Sequence, residues 1–492
     1  MIKLDLLKNK KMQLLILLII TLIVILLPTI IRILQFKQII LPSDTIYYDI
    51  RMAQDIHNNN LLANDQLVFT QTEYVFNPLH YFLAILFIII HPKITIILLT
   101  LFFSVMSIVL LYKIMENLSI PDNYKIITLI LYILSPIFIS SAIFLSKFTL
   151  GLLLFLALIY LKVIEKKSIS VDIIVVFLAV LLFYISLSFL FFAIFFLFFY
   201  SFLIKKNLKK TIIMTAIIIF IIISLQQIAV IRQFTDIPGR TIYTNIFQET
   251  IADLGAFVGF GIFSILLFAL GLYVMWKKQP MVKKYILFII VLLIITYYFS
   301  DGKYLFNLCV SIISAIAFIY LLEQEWKLSL IKDVSLFILI LGIIFSGLST
   351  ITRITAAYPT LDEYHAILFL QQQYSNINNQ EYILSYYRYG HLLQSIPESN
   401  GKLPVFLDTK SYELNKYLNQ SIIANELFYS RDIKKTTQLL TKYQIKYIFI
   451  TPFMKSGIVW KKENQGLLFL LKNSERFKSI YNKNGVEIWE FS

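Results

Sequence analysis

Long apolar runs broken by short polar breaks fill roughly the first 350 residues. The runs lie at 12–34, 77–91, 94–113, 124–143, 147–163, 171–184, 187–204, 211–231, 251–276, 285–299, 304–322 and 332–351. A bilayer core takes about 20 apolar residues of helix, with a range of about 17 to 25, so this spacing predicts a bundle of membrane spans. The run 77–91 is the exception: it has 15 residues and stops at His91-Pro92-Lys93. It reads as an interfacial helix on the outer face.

Lysine clusters set the expected orientation. They are Lys162, Lys166 and Lys167, then Lys205, Lys206, Lys209 and Lys210, then Lys277, Lys278, Lys283 and Lys284. Cytoplasmic loops carry the surplus of Lys and Arg. From a cytoplasmic N-terminus, counting 77–91 as a crossing puts all three clusters outside, and omitting it puts all three inside. The expected fold class is therefore an α-helical polytopic membrane protein with about eleven transmembrane helices, in the cell membrane, with the C-terminus outside. The stretch from Met12 to Ile33 has no small-residue cleavage site and reads as a retained anchor.

Two regions share the outer face: a first outer loop, 35–76, and a C-terminal region, 353–492. The second breaks the long apolar pattern. Helix-like stretches at 361–373 and 432–443 alternate with strand-like runs at 382–384, 447–450 and 486–491. The expected division is a transmembrane domain, 1–352, and a small extracytoplasmic α/β domain, 353–492.

Composition narrows the function classes. Of 492 residues, 58% are hydrophobic and 15% charged, and the mean hydropathy is +0.76. Soluble domains carry about 25% charged residues, so a soluble globular protein is excluded. The net charge of +15 is spread over the lysine clusters rather than gathered in one patch, so no nucleic-acid partner is expected. One cysteine, Cys309, and five scattered histidines leave no Cys/His cluster at ligand spacing, so any metal would be held by carboxylates.

The outer loops hold the candidate chemistry. Ser43 is a good N-cap, and Ile46, Ile50, Ala53 and Ile56 recur at helical spacing, giving a short helix whose apolar face could rest on the membrane. Asp44, Tyr48, Arg51 and Asp55 share another face. Asp44 falls in the first turn, where the helix dipole favours its anion; it reads equally as a ligand or acceptor-orienting carboxylate and as an ordinary first-turn acid. A second cluster holds Arg232, Asp236, Arg240, Gln248, Glu249 and Asp253. Arg232 and Arg240 could fork a phosphate, or pair locally in a solvated loop. The run from Tyr386 to Gly390 also fits an ordinary strand-to-helix turn in which Gly390 supplies a permissive backbone angle.

The run Asp44-Thr45-Ile46-Tyr47-Tyr48-Asp49-Ile50-Arg51 resembles the first-outer-loop motif of the GT-C membrane glycosyltransferases, in which a catalytic Asp follows the first span. Phe76-Asn77-Pro78-Leu79-His80-Tyr81 is similar to the Pro-Leu-aromatic segment that opens the next helix in those families. A closer resemblance is to the catalytic subunit of oligosaccharyltransferase. Ser385-Tyr386-Tyr387-Arg388-Tyr389-Gly390-His391 occupies the place of that subunit's Trp-Trp-Asp-Tyr-Gly signature, which recognises the acceptor sequon.

The resemblance implies transfer of a sugar from a polyprenyl-phosphate-linked donor to a protein, lipid or glycan acceptor outside the cytoplasm. Asp44 is the implied catalytic carboxylate, with Asp49 the alternative. Asp44 and Glu249 are the implied ligands of a divalent ion, Mg2+ or Mn2+. Tyr48, Arg51, His80, Arg232, Arg240, Arg388 and Tyr389 are the implied substrate contacts. Arg388 stands where the signature has Asp, and arginine is donor-only, so an Asn-sequon acceptor is not expected. The alternatives are a flippase for lipid-linked oligosaccharides and a non-catalytic assembly subunit. A transporter would carry ionisable residues near the bilayer midplane; here the charges lie at the outer mouth.

Overall fold

In a computed structural model the described residues are 9–58, 64–164, 169–203, 208–225, 250–256, 258–278, 289–294, 296–297, 301–374, 381–395 and 402–492. The first ten helices are α1 (Lys10–Phe36), α2 (Asp44–His57), α3 (Pro78–Leu86), α4 (Pro92–Asn117), α5 (Asp122–Ile133), α6 (Pro136–Ile143), α7 (Lys147–Val163), α8 (Ile169–Ile185), α9 (Leu187–Leu203) and α10 (Leu208–Leu225). Polar side chains set several of their starts. Asn9 accepts the Lys11 N–H at α1, Asn77 the Leu79 N–H at α3, and Ser135 the Phe138 N–H at α6. In α3 and α6 the next residue is Pro, which fits the first helical position because its missing N–H would be unpaired there.

Four helices are long and apolar enough to cross a bilayer: α1, α4, Gly302–Glu323 and Ser329–Thr355. A fifth candidate is the pair α5 and α6, bent by 58°. Pro136 explains the bend, since it cannot donate into the preceding turn, and the Ser135 hydroxyl takes up the freed Tyr132 carbonyl at 2.7 Å. The described residues thus give four or five spans by length, against the eleven expected. The difference lies in shorter apolar helices such as Ile169–Ile185, Thr211–Leu225 and Ile262–Lys277, and in parts of 226–249 and 279–300 outside the description. Helix α3 has 9 residues, roughly 14 Å at 1.5 Å per residue, less than half the hydrocarbon thickness.

Inside a bilayer, helices associate through close packing at small residues rather than through hydrophobic burial. Gly271 on Ile262–Lys278 does this against Gly302–Glu323: a Cβ there would lie 2.3 Å from the Ile313 carbonyl oxygen. At the C-terminal end of α1, the buried Arg32 guanidinium donates to the carbonyls of Ile40 (3.1 Å), Thr355 (3.0 Å), Ala357 (2.7 Å) and Pro359 (3.0 Å). The end of the first span is thereby fastened to the end of Ser329–Thr355, and this fixes where α2 begins.

The C-terminal region is built on a four-stranded sheet, ordered β1 (Tyr382–Leu384), β2 (Ile445–Ile450), β4 (Val486–Phe491), β3 (Phe477–Lys483). β1 runs parallel to β2, and β4 is antiparallel to both β2 and β3. Alternate residues of β2 face opposite ways, as a pleated strand requires. Tyr447 and Phe449 join a core continuous with the helical bundle, while Ile448 and Ile450 join a second core with Leu427, Phe428, Leu440 and Trp460. Asn484 and Gly485, with φ of 50° and 81°, close the β3–β4 hairpin, a pair suited to two positive-φ turn positions. Beyond β1 the sheet continues through 404–406 to the segment 64–76: Ile383 N–H donates to Pro404 (3.0 Å), Val405 N–H to Leu67 (2.8 Å) and Phe69 N–H to Val405 (3.0 Å). Loop and C-terminal region are therefore one hydrogen-bonded unit.

Candidate active site

The polar face of α2 is where these parts meet. Asp44 Oδ1 accepts the Leu392 N–H at 2.7 Å, and Oδ2 accepts the Thr409 hydroxyl at 2.8 Å. One turn on, the Tyr48 hydroxyl receives Lys410 Nζ at 3.4 Å, and its ring centroid lies 4.6 Å from that of His391. Arg51 forks onto both oxygens of Asp65, and Asp55 pairs with Lys402. The residues that periodicity placed on one face thus dock one after another onto the C-terminal region and the loop. Ile46, Ile50 and Ala53 are fully buried in the shared core. Contrary to expectation, then, the apolar face of α2 rests on protein rather than on lipid, because α3 and the helix Gly390–Ser395 pack against it.

Ser43 also departs from its expected role. Its φ is +89°, outside the usual range for an N-cap, and its hydroxyl meets Thr45 Oγ1 at 2.9 Å instead of capping the helix. The Ser43 N–H donates to the Tyr358 carbonyl at 3.0 Å, which holds this strained residue and so aims Asp44. Burial pushes the Asp44 carboxyl up to about 6, outweighing the downward pull of nearby His391 and of the two hydrogen bonds. The helix dipole therefore does not decide the state of Asp44; desolvation does.

Asp49, the alternative acid, is held by His80: Oδ1 lies 2.8 Å from His80 Nε2, and His80 Nδ1 lies 3.1 Å from the Tyr74 hydroxyl. This chain stays within the loop and α3. His80 is buried there, 5.6 Å from Tyr48 between ring centroids. Arg51 is equally committed. Burial alone would lower its pKa, but Asp65 overcomes that and holds it above the ordinary value, while Arg51 in turn holds Asp65 below the carboxylate range. Replacing Asp65 with Ala strands a buried guanidinium; thermal unfolding of the solubilised protein is expected to register a loss of about 3 to 5 kcal/mol.

Tyr389 is buried, donating to Glu363 Oε1 at 2.7 Å and receiving Thr451 Oγ1 at 3.2 Å; burial raises the Glu363 pKa. Arg388 points the other way and is exposed. Gly390 does not serve as a permissive turn residue, since its φ of −58° is helical. It is there for space: a Cβ would lie 2.5 Å from Asp408 Cα. Gly390→Ala is expected to cost about 1 to 3 kcal/mol by overpacking and, by displacing the Asp408–Lys410 segment, to lower activity more than stability; unfolding and turnover measured on one preparation check this. Arg232, Arg240 and Glu249 lie outside the described residues. Their neighbour Asp253 has a structural use, accepting the Ile262 N–H at 2.7 Å and the Ser346 hydroxyl at 2.6 Å.

The structure adds residues that the sequence did not single out. Thr409 holds Asp44, Asp65 neutralises Arg51, and Asp408 lies 3.5 Å from His391. Lys410 is the most consequential. Its Nζ donates to the Glu73 carbonyl at 2.6 Å and to Tyr48, and no carboxylate pairs with it among the described residues. Burial brings its pKa down to about 8. As for the implied divalent ion, no three His, Cys, Asp or Glu side chains converge as ligands among the described residues, and each Asp44 oxygen already accepts a hydrogen bond. Glu249, the other implied ligand, lies outside the described residues.

No family model matches the chain, and no curated protein does. Solved structures do. The Archaeoglobus fulgidus oligosaccharyltransferase in its apo form superimposes with a TM-score of 0.64 at 13% identity, over 98% of this chain and 74% of that one. The same archaeal enzyme has been solved with a dolichol-phosphate and an inhibitory peptide. The arabinofuranosyltransferase AftD from Mycobacteria matches at 0.58 and 13% identity, over 98% of this chain and 40% of its own. ArnT from Cupriavidus metallidurans matches at 0.50 and 9% identity, over 96% and 97%. These neighbours are all GT-C glycosyltransferases. At such identities the likeness is one of fold: the chain shares the overall fold of these enzymes, and its own long apolar helices fit a membrane setting.

Proposed function

We propose that this chain is a membrane glycosyltransferase that moves a sugar from a polyprenyl-phosphate-linked donor to an acceptor outside the cytoplasm. The observation that carries the reading is Asp44, a buried carboxyl raised to about 6 and held by Thr409, whose neighbour Lys410 is a half-buried ammonium without a carboxylate partner among the described residues. A base and a phosphate-neutralising cation are what inverting transfer from a glycosyl phosphate requires.

In the proposed step the acceptor hydroxyl replaces Thr409 Oγ1 on Asp44 Oδ2 and gives its proton to that oxygen. The acceptor oxygen bonds to the anomeric carbon as the bond from that carbon to the phosphate oxygen breaks. The electron pair leaves with the phosphate, whose charge Lys410 offsets; the sequence-based expectation adds Arg232 and Arg240, which lie outside the described residues. Arg51 and His80 position the site instead: Arg51 through Asp65, and His80 through Asp49. Binding of dolichol-phosphate by the archaeal neighbour supports a lipid-linked donor. The reading keeps eleven spans, an outward-facing C-terminal domain and an acceptor other than an Asn sequon.

Membranes containing the full chain, given a panel of radiolabelled polyprenyl phosphate and diphosphate sugars with endogenous acceptors, are the test. Label is expected to leave the polyprenyl donor faster than in membranes lacking the chain. Equal rates across the panel would overturn the reading.

A further inference from the structure

Beside Asp44 lies a group of side chains that the transfer step does not use. Thr409 Oγ1, which donates to Asp44 at 2.8 Å, also lies 3.4 Å from the Tyr387 carbonyl oxygen. Tyr387 stacks flat on Tyr412, with ring centroids 3.8 Å apart and planes 1° from parallel. The Tyr386 ring adjoins it at 4.4 Å. Arg388 projects from the same turn, its guanidinium 5.8 Å from the Tyr387 ring centroid. Arg388 is exposed, Tyr412 is 37% exposed, and no carboxylate pairs with Arg388 among the described residues.

Some other polar groups of the chain are already matched. The chain of Asp49, His80 and Tyr74 is internally satisfied, Glu363 is satisfied by Thr360 and Tyr389, and the exposed apolar helix faces are those a bilayer covers. The Arg388 platform differs in having both an open surface and an unmatched charge, one hydroxyl away from the proposed base. Aromatic faces take the C–H side of a saccharide by dispersion. Guanidinium offers a planar fork of donors to a carboxylate or phosphate and accepts nothing, so the matching group on the ligand must be anionic.

We propose that Arg388, with the Tyr386, Tyr387 and Tyr412 platform, selects an acidic saccharide as the acceptor, one whose carboxylate or phosphate group meets the guanidinium while a neighbouring ring lies on the tyrosines. The inference rests on the reading of Asp44 as the transfer site and adds the chemical class of the acceptor. Arg388 is then a specificity-determining residue, and its charge contributes affinity that weakens with added salt.

The test is equilibrium binding to the full chain in lipid nanodiscs, using fluorescent tetragalacturonate, its neutral methyl ester and a phosphorylated maltotetraose. Charge-assisted hydrogen bonds set the expected scale: an anionic probe should bind about tenfold or more tighter than the methyl ester, and R388Q should abolish that difference. An Arg388-dependent gain with the phosphorylated probe alone supports the proposal and identifies the anion as phosphate; with tetragalacturonate alone, as carboxylate. Y412L should weaken charged and neutral probes alike, as loss of a shared stacking face would. Equal binding of charged and neutral probes, no binding of any probe, or unchanged discrimination in R388Q would overturn it. D44N separates the two levels: it should retain acceptor binding while losing transfer. If D44N transferred sugar normally while R388Q still lost discrimination, the catalytic reading would fail and the acceptor site would stand.

Discussion

Replacing Asp44 with Asn is expected to lower sugar transfer about a thousandfold, within the range of a lost general base, while leaving the protein folded. The two roles open to Asp44, a base or a mere link between α2 and the C-terminal region, make opposite predictions for stability. With its folded pKa raised from 3.8 to about 6, Asp44 binds more proton in the folded than in the unfolded chain between those values. Its contribution to stability is thus fully present below the ordinary carboxylate range and is lost as pH rises through about 6. The shift corresponds to at most about 3 kcal/mol. D44N removes the ionisation, so at pH near 7.5 its melting temperature should equal or exceed that of the wild type. A purely structural acid would instead show a loss. The wild-type rate should fall as pH drops through about 6, where the base becomes protonated.

Lys410→Gln is expected to raise the donor KM about 10- to 100-fold, the worth of a hydrogen bond to a charged group, with a smaller fall in kcat. The cause is the loss of a half-buried ammonium whose present partners, the Glu73 carbonyl and the Tyr48 hydroxyl, carry no full negative charge. Because burial lowers Lys410 to about 8, the free protein should lose donor affinity above that pH. Together with the acid limb from Asp44, this gives a bell-shaped kcat/KM profile between about 6 and 8. Lys402→Gln is the control: it removes a half-exposed partner of Asp55 at the far end of α2 and should leave KM unchanged.

The sequence made the polar face of α2 legible because helical period alone puts Asp44, Tyr48, Arg51 and Asp55 in line. What covers that face was not legible, since Thr409 and Lys410 come from more than 350 residues away and carry no local pattern of their own. Asp408-Thr409-Lys410-Ser411 reads only as a helix cap, a role Asp408 does fill through the Ser411 N–H. The central and last strands, β2 and β4, announced themselves by runs of Ile, Phe and Trp. β3, Phe477–Lys483, did not, because most of its residues face solvent and its sequence, Phe-Lys-Ser-Ile-Tyr-Asn-Lys, holds little alternation. Gly390 misled for a physical reason: glycine marks either a permissive angle or a close approach, and only the position of Asp408 distinguishes them.

The most direct test of the account is donor turnover in membranes containing the full chain and endogenous acceptors, with a labelled polyprenyl-phosphate sugar, for wild type and Asp44→Asn at pH near 7.5, with donor binding measured in the same preparations. The account predicts donor binding within about threefold in both and turnover in the wild type alone, since a lost base slows the step without removing the phosphate site. Equal turnover by the two proteins would contradict it.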